Sequence, residues 1–167
     1  MIVKIGLVVG TNERVWYLSS KLLRRLSIIE PMRRRLKAYI EIDLGGPVSF
    51  GAYSYITDAF HLLGASCLYD DVKSEWLTPD LARVPTDVLD AIFYEAKMYS
   101  LFDEEKLQQL ISNRGWSKMD AVKKGHCFLS PRPLDFLAHH GPSFIIDTLP
   151  WLAEKLSVVA ESSNDSY

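Results

Sequence analysis

His139 and His140 stand side by side and are the residues best suited to hold a metal or move a proton, since imidazole changes charge near neutral pH. Neighbouring residues on a loop point in different directions, however, and no third ligand is spaced to join them. The pair therefore reads as loop histidines beside Gly141-Pro142, while His61, inside an amphipathic segment, and His126, opening an apolar one, read as structural. Carboxylates cluster as Asp70-Asp71 and as Asp103-Glu104-Glu105. The second group falls in the first turn of a predicted helix, where negative charge suits the helix dipole. Gly6 and Gly10 flank Leu-Val-Val, but there is no Walker Gly-Lys-Ser/Thr and no GxGxxG. Ser49 and Ser130 lack the Gly-x-Ser-x-Gly elbow of hydrolases. Arg33-Arg34-Arg35 follows a helix end and reads as a solvated basic face. Cys67 and Cys127 form no CxxC pair and read as small buried hydrophobes. What remains is a set of aromatic loop residues: Phe50, Tyr53, Tyr55, Trp76, Tyr99, Phe102 and Phe136. They either cover sheet edges or converge into a platform for a flat or bulky ligand.

The elements that must position these residues follow from periodicity. Residues 2–9 are β-branched and apolar and suggest a short strand by propensity alone. Val15, Leu18, Leu22, Leu26 and Ile29 recur at helical steps, so a long amphipathic helix is predicted from Glu13 to about Ile29, stopped by Pro31. Lys37 to Asp43 alternates and predicts a strand, Leu44 to Pro47 a loop, and 51–63 a helix with Ile56, Ala59, Phe60 and Leu63 inward and Gly64 as its stop. A helix starting at Thr78-Pro-Asp80, with Leu81, Val84 and Val88 inward, precedes a strand at Ala91–Tyr94. A helix from Phe102 to Gly115-Trp116, a short turn at 119–124 and a strand at His126–Leu129 come next. Pro131, Pro133 and Pro142 bracket a loop before a last helix, Ser143–Leu156, which Pro150 should kink. Strands alternating with helices predict a parallel α/β sheet whose ligands bind beyond the carboxyl ends of the strands.

Composition narrows the class. The chain has 167 residues, 48% hydrophobic and 24% charged, with a formal net charge of −2. That is one folded domain with no basic field for a nucleic acid. The apolar start is too short to span a membrane and lacks the basic opening and cleavage site of a signal peptide, which places the chain, as written, in the cytoplasm. The polar end Glu161–Tyr167 reads as a loose tail.

Several segments in order resemble the periplasmic binding proteins that deliver cobalamin and ferric siderophores to ABC importers. They are the strand 38–43 followed by a loop; Gly51, Ser54 and Gly64 in the family's Gly-x-x-Ser loop and glycine-ended helix; and Trp76 ahead of a helix near Asp80. Asp90 to Glu95 stands where the family has its next strand. Trp116-Ser-Lys-Met-Asp-Ala-Val-Lys-Lys-Gly to Leu129 and Gly141-Pro142 complete the series, with Ala121-Val-Lys-Lys-Gly125 the most distinctive match.

The resemblance implies a three-layer parallel-sheet lobe of the chelatase-like, class III binding-protein type, preceded by the long helix that joins two lobes. Residues 1–35 would be the approach and connecting helix, 36–157 the C-terminal lobe and 158–167 a disordered tail; residues 2–9 would then not be a strand. It implies ligand contacts at Phe50, Tyr53, Trp76, Phe136, His139 and His140, for a corrinoid, haem or ferric siderophore, with no resident cofactor or metal. It also implies docking to an ABC permease by an acid near the start of the helix after the tryptophan. Ala82 stands at that place and Asp80 is the nearest acid. Membership would put the chain outside the cytoplasm as part of an exported protein. Two other readings stay open: a homodimeric interaction protein joined through the 12–30 helix, and a small chelatase using His139 or His140.

Overall fold

A computed structural model describes residues 2–131 and 135–162. The chain opens with helices α1 (Ile2–Val8) and α2 (Asn12–Ser27). The strand expected from the β-branched run is therefore corrected to a helix. A β-rich run needs a partner strand to hold its backbone, and this one lies instead against α2, with Thr11 N–H donating to the Gly6 carbonyl at 2.9 Å. Along α2 the predicted stripe turns inward: Leu22 is buried and Val15, Leu18 and Leu26 are half-buried.

Next come β1 (Leu36–Asp43), β2 (Pro47–Phe50), α3 (Tyr55–Leu62), β3 (Ala65–Cys67), β4 (Trp76–Leu77) and β5 (Ala91–Glu95). After these follow α4 (Glu104–Asn113), α5 (Asp120–Lys123), β6 (Cys127–Leu129), a π turn (Phe144–Thr148) and α6 (Leu149–Ser162). The six strands form one sheet in the order β4-β2-β1-β5-β6, with β3 also on β1. β1 runs parallel to β3 and β5, and β5 parallel to β6, as predicted. The β1–β2 pair is antiparallel, because the Leu44–Pro47 stretch is a tight hairpin rather than a crossover, and the β2–β4 pair is antiparallel as well.

Alternation along the strands builds the layers. Ala38, Ile40 and Ile42 of β1 and Phe93 of β5 face one core with Phe60, Leu152 and Leu156. Tyr39, Ile92 and Tyr94 face the other, with Leu107, Ile111 and Trp116. The sheet is thus sandwiched between α2, α3 and α6 on one side and α4 and α5 on the other. Both cysteines are free and buried, as read from the sequence.

Three local expectations change. The helix predicted over 51–63 starts only at Tyr55, where the Ser54 hydroxyl caps the Ile56 N–H at 3.2 Å. The helix expected after Asp80 is a loop with one 3-10 turn at Val84–Thr86. Pro85 lacks the N–H a longer helix would use, and Val88, expected inward, is 81% exposed while Leu89 is buried. Ahead of Pro150 the backbone makes its π turn, with Leu149 N–H reaching Phe144 O. α6 continues to Ser162 with Val159 buried; Pro133 and residues 163–167 of the expected tail lie outside the described residues.

Candidate binding face

The predicted site residues sit on three segments, 50–55, 72–76 and 136–140, and the fold ties the three together. Gly51 is the first tie. Its N–H donates to Glu75 O at 3.3 Å, Ala52 N–H to Val72 O at 2.8 Å and Tyr53 N–H to Ser74 O at 3.1 Å. A Cβ on residue 51 would stand 2.5 Å from the carbonyl oxygens of both Val72 and Ser74, so only glycine allows the two backbones this close. Thr57 Oγ1 adds a bond to the Gly51 carbonyl at 2.8 Å. On this backbone Phe50 pairs with Trp76 across β2 and β4, ring centroids 5.1 Å apart. Phe50 is 1% exposed and supports the half-buried Trp76 from below. Tyr53, by contrast, is 66% exposed at the turn.

Tyr55 is the second tie. Its hydroxyl donates to Leu137 O at 2.8 Å and its ring lies 4.6 Å from the His140 ring. Burial, then the negative charge of Glu95, push the Tyr55 phenol well up, so it stays a neutral donor. Tyr55 was noticed in the sequence only as one of many loop aromatics. Its place at the first turn of α3, opposite the proline-bracketed loop, is what makes it a bridge.

The third tie is a buried carboxylate. Glu95, the last residue of β5, accepts Phe136 N–H at 2.8 Å through Oε1 and Leu137 N–H through Oε2. Desolvation raises its pKa, and the backbone donors of 136–138 pull against that without cancelling it. Thr148 Oγ1 donates to Phe136 O at 2.7 Å. Phe136 itself is buried with its ring 5.3 Å from Trp151, so it anchors the loop from within the core.

The two loop histidines separate in role. Gly141 N–H donates to His139 Nδ1 at 3.2 Å, which leaves the Nε2 proton for the Ser143 hydroxyl at 2.5 Å. His139 is thus committed on both nitrogens. His140 is exposed, stacked on Tyr55, at the rim of a cavity of about 300 Å³ that Leu26, Phe144 and Leu149 also line. A second cavity, about 520 Å³, opens at the carboxyl ends of β5 and β6 between Ser100, Phe102, Asp103 and Ser130.

The remaining motifs take the structural roles read from the sequence. Asp103 caps α4 by accepting Lys106 N–H at 3.0 Å. His61 is exposed and pairs with Asp70 at 2.8 Å, and His126 is buried with Nδ1 on Asp90 O at 3.0 Å. Asp80 is exposed, its carboxylate accepting Ala82 N–H at 3.0 Å. Among the described residues no three His, Cys, Asp or Glu side chains could share a metal, and no helix is long and apolar enough to cross a membrane.

Comparison with known proteins bears on the fold and the family. A search of curated protein sequences gives no match. The solved structure of S. aureus IsdE complexed with haem superposes with a TM-score of 0.78 at 16% identity, covering 92% of this chain and 61% of that one. An ABC-type Fe3+-hydroxamate transport system protein from Saccharomonospora viridis gives 0.75 at 19% identity, covering 93% and 53%. The periplasmic vitamin B12 binding protein BtuF of Vibrio cholerae gives 0.62 at 12%, covering 90% and 54%. The chain therefore spans between about half and three-fifths of the length of these structures, whose fold it shares. The sequence profile of the periplasmic binding protein family matches residues 26–134, and this chain belongs to that family.

Proposed function

We propose that residues 36–157 form one ligand-holding lobe of an ABC-importer substrate-binding protein, without enzymatic activity, acting outside the cytoplasm on haem, a corrinoid or a ferric siderophore. The observation that carries this reading is the triple tie: Gly51, Tyr55 and Glu95 gather Tyr53, Trp76 and His140 onto one set of rigid loops. Tyr53 and Trp76 offer aromatic faces to a macrocycle or a siderophore, and His140 an exposed imidazole. Phe50 and Phe136 support them from the core, and His139 fixes the turn that presents His140. Asp80, exposed on the following loop, is the candidate contact for a permease arginine.

The test is tryptophan fluorescence titrated with haemin, cyanocobalamin and ferrichrome. Saturable quenching by at least one, lost in Trp76→Phe and weakened in Tyr53→Ala, is the expected result. Linear, non-saturating quenching by all three overturns the reading. One lobe covers one face of a ligand, so the affinity expected is well below that of a two-lobed binding protein.

A second reading, self-association through α2, is supported by Trp16, Tyr17, Leu23 and Ile28, all large, apolar and exposed on that segment. Sedimentation that stays monomeric up to high concentration removes it.

A further inference from the structure

We propose that Glu95 is the positioning residue for the binding loop: its ionised carboxylate holds Phe136 and Leu137 in one geometry and thereby sets where His140 stands. This deepens the ligand-lobe reading and rests on it only for what the loop binds.

The argument starts from accounting for polar groups. Loop 135–140 is irregular, so its backbone N–H groups have no helix or strand partners, and buried ones must find acceptors elsewhere. Phe136 and Leu137 are buried, and both donate to the same carboxylate, one to each oxygen. No Lys, Arg or His shares that carboxylate among the described residues. A carboxylate kept inside a protein without a counter-charge is costly unless hydrogen-bond donors replace water. Here the donors are the loop backbone itself. Each therefore depends on the other: the loop needs two adjacent acceptors, and the carboxylate needs two adjacent donors. A glutamine would offer one acceptor and turn an NH2 group toward the second N–H, so the pair can be made only by the acid.

The carbonyl side of the same loop is held by neutral groups, Thr148 Oγ1 on Phe136 O and Tyr55 Oη on Leu137 O. These two bonds come from α3 and the π turn, on the helix layer, while Glu95 comes from the sheet. The loop is thus clamped between layers, and His140 lies three residues beyond the clamp, on the ring of Tyr55. Asp135 from the loop, Glu75 from the segment before β4 and Tyr55 from α3 are the other titratable groups whose fields reach this cluster.

Amide NMR on the ligand-free 167-residue chain tests the clamp without any ligand. In the wild type the Phe136 and Leu137 amides should exchange slowly, and their shifts should follow a titration above the usual carboxylate range. In Glu95→Gln those two amides should exchange at least tenfold faster and lose that titration, the His140 ring signals should move, and the β1 amides should be unchanged. Equal acceleration of β1 and loop amides overturns the proposal, as does a titration that persists in Glu95→Gln, which would belong to another group. If Glu95→Gln does not fold, wild-type exchange decides: Phe136 and Leu137 amides that exchange as fast as those of an unbonded loop refute the clamp. A haemin, cyanocobalamin and ferrichrome series then runs separately. Failure of all three to bind would sink the ligand reading and leave the amide result standing. Conversely, wild-type binding that is unchanged in a Glu95→Gln protein with a loosened loop overturns the link from clamp to site.

Discussion

The two carboxylates buried in the sheet, Glu41 on β1 and Glu95 on β5, are held in opposite ways. Glu41 is 1% exposed and meets a full counter-charge: Arg114 Nη1 and Nη2 reach its two oxygens at 2.7 and 2.8 Å, and Tyr39 Oη donates at 2.6 Å. The guanidinium also lies over the Trp116 ring at 4.9 Å. Burial alone would lower the Arg114 pKa, but Glu41 outweighs it and the group stays charged. Glu95 is 4% exposed and is met by backbone donors of a loop. The first arrangement joins one rigid element to another, β1 to the end of α4. The second joins a rigid strand to a segment with no regular structure. One buried charge therefore fixes the scaffold, and the other fixes what the scaffold presents.

That contrast predicts different consequences for breaking each. Arg114→Leu strands a buried carboxylate beside a phenol whose own ionisation is already suppressed by burial. Removing one partner of a buried pair costs about 3–5 kcal/mol, so urea or guanidinium denaturation should show a large fall in midpoint. The double change Glu41→Leu/Arg114→Leu removes the stranded charge and should recover more than half of the loss. A double variant as unstable as the single would mean the ring stacking on Trp116, rather than the charge pair, carries the stability.

Gly51→Ala comes next in size. Its methyl would press on two carbonyl oxygens at 2.5 Å, and overpacking of this kind costs about 1–3 kcal/mol. The loss should be accompanied by a shift in Trp76 emission, because the backbones of 51–53 and 72–76 must part. Unchanged emission with the full stability loss would separate the glycine from the aromatic pair.

Glu95 gives a pH signature of smaller size. Its folded pKa lies above its unfolded one, so the folded state binds the proton more tightly. Its contribution to stability is then greatest below the unfolded carboxylate pKa and is lost as pH rises through the folded value. Thermal melts across that window should fall in the wild type, and the slope should flatten in Glu95→Gln. The cost is the expense of keeping the carboxylate ionised, which is the state the loop requires. A slope identical in the two proteins would place the titration on another group.

Much of this architecture was legible in the residues. The stripe from Val15 to Leu26, the alternation of 38–43 and the Asp103 cap are local signals, and local signals survive folding. Two regions misled, for different reasons. Over residues 2–9 a partner overrides the propensity, since α1 finds α2 instead of a strand, and over 80–88 Pro85 denies the segment a helical N–H. At the site, Trp76 and Tyr53 stood out by type, and the glycine-serine spacing by family resemblance. Glu95 did not stand out, because a glutamate ending a strand reads as a solvated edge. Its meaning lies in two N–H groups some forty residues later, a long-range pairing that no periodicity encodes. Tyr55 was hidden for the same reason.

The smallest predicted effect concerns how α2 is joined to the π turn and α6. Pro150 has no N–H, so the carbonyl four residues earlier, Ile146 O, loses its ordinary helical donor. The backbone has already widened into a π turn there, and Arg25 of α2 donates to that carbonyl at 3.3 Å. A kink predicted from one proline thus becomes a contact point for the long helix. The bond is exposed and long, so Arg25→Met should cost under about 1 kcal/mol. Its mark should be local: faster amide exchange around Ile146 to Leu149 and at the last turn of α2, with the Glu41 and Glu95 clusters unaffected. Restoring an N–H donor instead, with Pro150→Ala, should make Arg25→Met nearly silent in the double variant. If the two changes add, Arg25 holds α2 by something other than that carbonyl.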